Sequence, residues 1–148
     1  MYKHLLVATD GSRLSAKAVT HAIALSQALS AKLTAFYASP DYPLPAAADG
    51  VVYDPMSKQE YAKAARKEAD LILSAVKLKA EAGGVTCDLL HSFDNSPWEA
   101  ILAAAKKARC DAIVMASHGR RGLSALLLGS ETQKVLTHTK LPVLVLRN

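Results

Sequence analysis

The densest chemistry in the chain lies in MASHGRRGLSALLLGS, residues 115–130, where Gly119 and Gly122 enclose Arg120 and Arg121, and Gly129-Ser130 precedes a stretch of helical period. Backbone N–H groups in a glycine loop and at a helix start lack carbonyl partners, so together they form a polarised cradle for phosphate oxygens. The same residues also have a purely structural reading. In it, Gly119 and Gly122 turn the chain, and Ser130 caps the helix through a capping box completed by Gln133. Spacing alone leaves both readings open. The other chemical residue is Asp10, the lone carboxylate ending the first apolar run. It reads either as a ligand contact or as a turn residue ahead of Gly11-Ser12.

Other chemistries find no support. The chain has no GxxxxGK[ST] loop, no dinucleotide fingerprint and no GxSxG elbow, and its five histidines show no HExxH spacing. His118 reads as a loop residue rather than a catalytic base. The acidic cluster of a receiver domain is missing, because the third apolar run ends in His91.

The elements that must position these residues follow from periodicity. Runs at 4–9 (HLLVAT), 32–38 (KLTAFYA), 85–91 (VTCDLLH), 111–117 (DAIVMAS) and 142–147 (PVLVLR) read as strands, several of them apolar on both faces, as a sheet covered on both sides requires. Leu14, Ala18, Ala22, Leu25 and Leu29 share one face of a first helix. Ser57 to Glu60 is a capping box for a second helix that ends at Gly83-Gly84, and Ser96-Pro97 opens a third, running to about Arg109. The last helix runs from Ser130 to about Thr139. Four prolines between Ser39 and Pro55 forbid a long helix or strand there. Strict alternation of strand and helix predicts an α/β, doubly wound, mainly parallel sheet with helices on both faces. In such folds ligands sit beyond the carboxyl ends of the strands, which directs attention to residues 9–12, 38–41, 91–95 and 115–130.

A chain of 148 residues is sized for one domain over 1–148. The net charge of +5 is spread over 18 basic and 13 acidic residues, and aromatics are only 5%, so a nucleic-acid surface is not expected. Cys87 and Cys110 lie too far apart for a CxxC pair and read as reduced, buried thiols. No run is long and apolar enough to span a membrane, and no export signal is seen. A cytoplasmic protein with no membrane partner is therefore expected.

With these motifs in hand, the chain resembles the universal stress protein family. The likeness rests on the opening HLLVATDGS, the long loop after the second strand, SHGRRG, the closing PVLVLR, and a match to Gly-x2-Gly-x9-Gly-[Ser/Thr] at Ala116, Gly119 and Gly129-Ser130. The resemblance implies a five-stranded sheet of order 3-2-1-4-5 and an adenine nucleotide, ATP, as ligand. It implies that Ala8, Thr9, Asp10 and Ala38 surround adenine and ribose. Met115, Ala116, Gly119, Gly129, Ser130, Glu131 and Thr132 would approach the ribose and phosphates. Magnesium would accompany the nucleotide with no protein ligand assigned, and catalysis would be at most slow hydrolysis or autophosphorylation. A homodimer through the C-terminal strand is also implied, since Val143 to Leu146 would leave an apolar edge.

Two positions depart from the family pattern. Ala116 replaces the first glycine of the signature, at a cost on the order of 1 kcal/mol if that backbone is left-handed. Glu131 stands where nucleotide binders often carry an apolar residue, and its carboxylate would either repel phosphate or favour the helix start. The alternative is a nucleotide-free interaction module of the same fold.

Overall fold

The computed structural model describes residues 1–43, 47–48, 51–52, 56–119 and 128–147. In chain order the elements are β1 (His4–Ala8), α1 (Arg13–Leu29), β2 (Lys32–Ser39), β3 (Ala47–Ala48), β4 (Val51–Val52), α2 (Lys58–Ala82), β5 (Cys87–Phe93), α3 (Pro97–Ala108), β6 (Ala112–Ala116), α4 (Ser130–His138) and β7 (Val143–Leu146).

β1 forms the centre of the large sheet because Leu5, Leu6 and Val7 are apolar on both faces and lose all exposure. Each such side chain contributes about 1.5–3 kcal/mol on burial. The sheet order is β5-β2-β1-β6-β7 with every pairing parallel, which is the expected 3-2-1-4-5 when only its own strands are counted. Alternation divides the core in two. Leu5, Val7, Leu33, Ala35 and Val114 pack under α1 and α2. Leu6, Phe36, Ile113 and Met115 pack under α3 and α4.

The first two helices begin and end as their sequences direct. Ser12 accepts from the Ser15 N–H at 3.2 Å to cap α1, and Leu14, Ala18 and Ala22 are buried, with Leu25 and Leu29 packed alongside. The Ser57–Glu60 capping box forms in both directions, at 2.9 and 3.2 Å. α2 closes at Gly83, and Gly84 takes the left-handed φ of +70° that glycine adopts freely.

Two local expectations are corrected. Ser130 is the first residue of α4 rather than its cap; Gly129 caps the helix, and Gln133 Nε2 donates to Leu128 O, so the Ser130–Gln133 capping box does not form. By contrast Ser96 is the N-cap of α3 and Pro97 its first residue, as expected, with no side-chain capping bond. β5 begins at Cys87 rather than Val85, because the Val85 N–H closes α2 by donating to Ala80 O, and it continues to Phe93 opposite Ser39 of β2. Within the proline-rich stretch, β3 and β4 form a two-residue antiparallel pair, well short of a long strand.

Candidate functional site

The chain leaves β1 through α1 on one face of the sheet and leaves β6 through α4 on the other, so the carboxyl ends of these neighbouring strands diverge into a crevice. On the β1 side, Thr9 Oγ1 lies 3.0 Å from Ser15 Oγ, and the Gly11 N–H points at the same Thr9 hydroxyl at 3.2 Å. Asp10 Oδ1 accepts from the Ser12 N–H at 2.9 Å, an Asx turn that locks the carboxylate onto the start of α1. Gly11 has a φ of +75°, which this turn requires. The turn reading of Asp10 is therefore realised through Oδ1. Oδ2 faces across to Gly119, where an added β-carbon would fall 2.5 Å away. Asp10 and the end of β6 thus share the crevice.

On the β6 side, Ala116 is extended within the strand, and among the described residues only Ser30 and Arg109 combine a side chain with a positive φ. Alanine therefore carries no backbone strain at this position. Beyond it, Ser117 O is a node that accepts from the Gly129 N–H at 2.7 Å. The Thr132 hydroxyl is shared between Ala116 O and Ser117 O, 3.1 Å from each. These bonds hold the first turn of α4 directly against the strand end. Gly129 permits this through size rather than conformation. Its φ is an ordinary −60°, but a β-carbon there would lie 3.1 Å from Ser117 O and 3.2 Å from His118 Cα.

Glu131 points away from the crevice. Its Oε2 accepts from the Trp98 N–H at 2.9 Å, in the first turn of α3, and its Oε1 takes the Lys134 ammonium at 3.2 Å. A carboxylate at a helix N-terminus is favoured by the macrodipole, and α3, which lacks a side-chain cap of its own, receives one from α4.

A profile of the universal stress protein family matches residues 1–147. The chain belongs to the universal stress protein family. It is 33% identical to universal stress protein YxiE of Bacillus subtilis over 149 residues, covering 99% of this chain and 100% of the relative. Universal stress protein UspA of Lactobacillus plantarum superposes with a TM-score of 0.81 at 24% identity, covering 99% of this chain and 98% of that one. A universal stress protein in complex with cAMP superposes with a TM-score of 0.70 at 26% identity, covering 99% and 97%.

The fold of this universal stress protein gathers the residues that the sequence singled out into three groups. Ala8, Ala38 and Met115 lie at or one residue before the ends of neighbouring strands β1, β2 and β6 and point to the α3–α4 face. Asp10 and Gly119 face each other across the β1–β6 junction. Ala116, Gly129 and Thr132 meet at the start of α4, where Ser130 is exposed. The hydroxyls of Thr9 and Thr132 are buried and bonded within the protein, so they position backbone rather than reach outward. Arg120, Arg121 and Gly122, the cations and second glycine of the loop, lie outside the described residues. Sequence reasoning missed Ser117 as the node of the strand end and Ser15 as the partner of Thr9. Both are small polar residues whose roles arise from contacts made after the chain folds.

Among the described residues, the two thiols and the Ser39 hydroxyl of the Ser39–His91 pair are shielded by burial. Burial pushes the Cys110 thiol up to about 11, against a smaller opposing effect of its hydrogen bond with Thr34, and burial likewise raises Cys87. Ser39 Oγ lies 2.8 Å from His91 Nε2, but Ser39 is only 2% exposed and cannot attack an outside substrate. No group of three metal-ligating side chains exists among the described residues. A recess of about 570 Å³ opens at the opposite, amino end of the sheet beside Ser26, Ser30 and Gly83. Its cation, Lys32, is paired with Asp88, and the helix-end carbonyls around it are already bonded by Ser30, Ala31, Gly83 and Gly84. The N–H groups of Ser30, Ala31, Lys32, Gly83, Gly84 and Val85 are themselves bonded, so the recess offers no cluster of open donors for an anion.

Proposed function

We propose that this universal stress protein binds an adenine nucleotide, ATP, between the carboxyl ends of β1 and β6 and acts as a regulator in a stress response. The observation that carries this reading is the meeting of Asp10 with Gly119 across the junction, beside an α4 N-terminus held tightly against β6. Asp10 Oδ2 suits a ribose hydroxyl. The first N–H groups of α4, at Ser130 to Thr132, have no carbonyl within the helix to bond and suit phosphate oxygens. Ala8, Ala38 and Met115 supply an apolar wall for adenine. The complex of a 26% identical family member with cAMP supports the choice of an adenine nucleotide.

Both departures that favoured a nucleotide-free module lose their force in this geometry. Ala116 is unstrained, and the Glu131 carboxylate is engaged by α3 and Lys134. Magnesium, where it accompanies the nucleotide, fits a site of phosphates and water with at most one carboxylate, since Asp10 is the acid at hand. With Asp10 locked by Ser12, no described residue is set to activate water, so turnover is at most slow. β7 is an edge strand with Leu144 44% exposed, and a two-fold related copy pairing along it would cover that edge.

The test is mass spectrometry of ligand released from freshly purified protein, followed by calorimetric titration with ATP, ADP, AMP and cAMP. A retained adenine nucleotide, or saturable binding with ATP tightest, is expected. Absence of binding by all four would overturn the reading in favour of the interaction module.

A further inference from the structure

α2 buries Ala69, Leu73, Val76 and Ala80 against the sheet, yet its opposite face is also apolar. Ala64, Leu71, Ala75, Leu78 and Ala82 recur at spacings of seven, four, three and four and are all exposed. Leu71 and Leu78 keep 67% and 69% of their surface, more than any other leucine among the exposed hydrophobics. Solvated helix faces normally carry charge at such positions, so this stripe calls for a cover.

The charges flanking the stripe identify the cover. About a two-fold axis near Ser74, an antiparallel copy of the helix places Leu71 opposite Leu78 and brings the small residues Ser74 and Ala75 together at the crossing, where helices can approach closely. On one flank Asp70 then meets Lys77, and Lys67 meets Glu81, each pair opposite in sign and exposed. On the other flank Glu68 and Lys79 are likewise opposite in sign at mirrored positions. Antiparallel helices bring like flanks together, so every one of these pairs forms twice. A parallel copy in register would instead bring unlike flanks together and separate these pairs.

We propose that the outer face of α2 is a self-association surface that pairs antiparallel with α2 of a second copy. The stripe runs over 19 residues, about 27 Å of helix, and a single helix pair of that length sits at the small end of interface sizes, which makes the contact a concentration-dependent one. α2 covers β2 and β5, at the opposite end of the sheet from β7. Two isologous contacts on opposite sides of a subunit build closed tetramers or open chains rather than a simple dimer, so the α2 contact would join β7-paired dimers into larger assemblies.

Sedimentation equilibrium on the full chain tests this. Leu71→Lys should weaken association roughly tenfold or more. Asp70→Lys should weaken it too, and Asp70→Lys with Lys77→Asp should restore it, since the reversed pair is again complementary across the axis. Ala75→Cys should give disulfide-linked dimers on mild oxidation, whereas a cysteine at the exposed α3 position Lys107 should not; the native thiols are buried and stay silent. All these positions are exposed, and a melting curve for each variant verifies folding. Unchanged association in Leu71→Lys, or cross-linking at Ala75→Cys no better than the control, overturns the proposal. The β7 contact is read separately through Val145→Lys: loss of association there with none in Leu71→Lys sinks the α2 surface, and the reverse result sinks the β7 pairing while α2 stands.

Discussion

At the scale of single residues, the glycines of the signature are fixed by contact rather than by backbone angle. A side chain at 129 must displace Ser117 O and His118, so Gly129→Val should lower the melting temperature by several degrees and weaken ATP binding strongly. Because Ser130 is the exposed first residue of α4 and not its cap, Ser130→Ala should change stability by no more than about 0.5 kcal/mol. It therefore isolates the hydroxyl's part in ATP binding, read by calorimetry beside thermal melts of both variants. If both bind ATP as tightly as the parent, the glycines serve the fold alone. Thr132→Val, nearly isosteric, leaves Ala116 O and Ser117 O without their shared donor and should cost about 1–3 kcal/mol in urea unfolding. The Cys110 thiol gives a pH signature. Its pKa is raised from 9.0 to about 11 by burial, so the unfolded chain loses the proton first as pH rises. The stability this thiol contributes is complete below pH 9 and is lost on passing toward about 11. Urea midpoints measured across that window should fall in the parent and fall less in Cys110→Ala.

At the scale of elements, helix ends decide more than helix interiors. Arg109 ends α3 with a φ of +56°, a conformation costing about 1–2 kcal/mol for a residue with a side chain. Glycine removes that cost but adds about 0.5–1 kcal/mol of unfolded-chain entropy. Arg109→Gly should therefore stabilise the protein by roughly 0.5–1 kcal/mol, seen as a higher urea midpoint with an unchanged slope; a lower midpoint would mean the arginine stem packs usefully. Glu131 binds two elements, capping α3 from α4. Its replacement by Ala should cost about 1 kcal/mol, the worth of an ordinary N-cap.

At the scale of the whole molecule, the sheet is a spine buried on both faces and flanked by two separate cores. Leu6→Ala would open a cavity in the α3–α4 core beside Phe36 and Ile113 and should cost about 2–5 kcal/mol. The edges of the spine are its outward surfaces. Val145→Lys places a charge in edge strand β7 where the side chain packs partly against the α3–α4 core, so it should lower the melting temperature as well as convert a β7-paired dimer to monomers in light scattering. An unchanged mass would place that contact elsewhere.

The order of strands and helices, the doubly wound sheet and both faces of β1 were legible in the sequence because they follow from periodicities of 2 and 3.6, which are local properties. The ends of α2 were legible for the same reason, since a capping box and a double glycine act within one turn. The position of Asp10 was legible as the end of a strand, but not that one oxygen would be locked by Ser12 while the other faces Gly119. The role of Glu131 was hidden, because its partner, the Trp98 N–H, lies 33 residues away and becomes a neighbour only when α3 and α4 pack. The displaced start of β5 and the missing Ser130–Gln133 box have one cause: the Val85 N–H and the Gln133 amide had competing partners, and in each case a carbonyl five residues back in the chain, Ala80 O or Leu128 O, was the one bonded. The sequence by itself thus determined which residues stand at the ends of β1 and β6. The tertiary structure decided which of their atoms hold those ends together, Ser117 O with Gly129 and Thr132 above all, because long-range hydrogen bonds are settled by packing rather than by the order of residues.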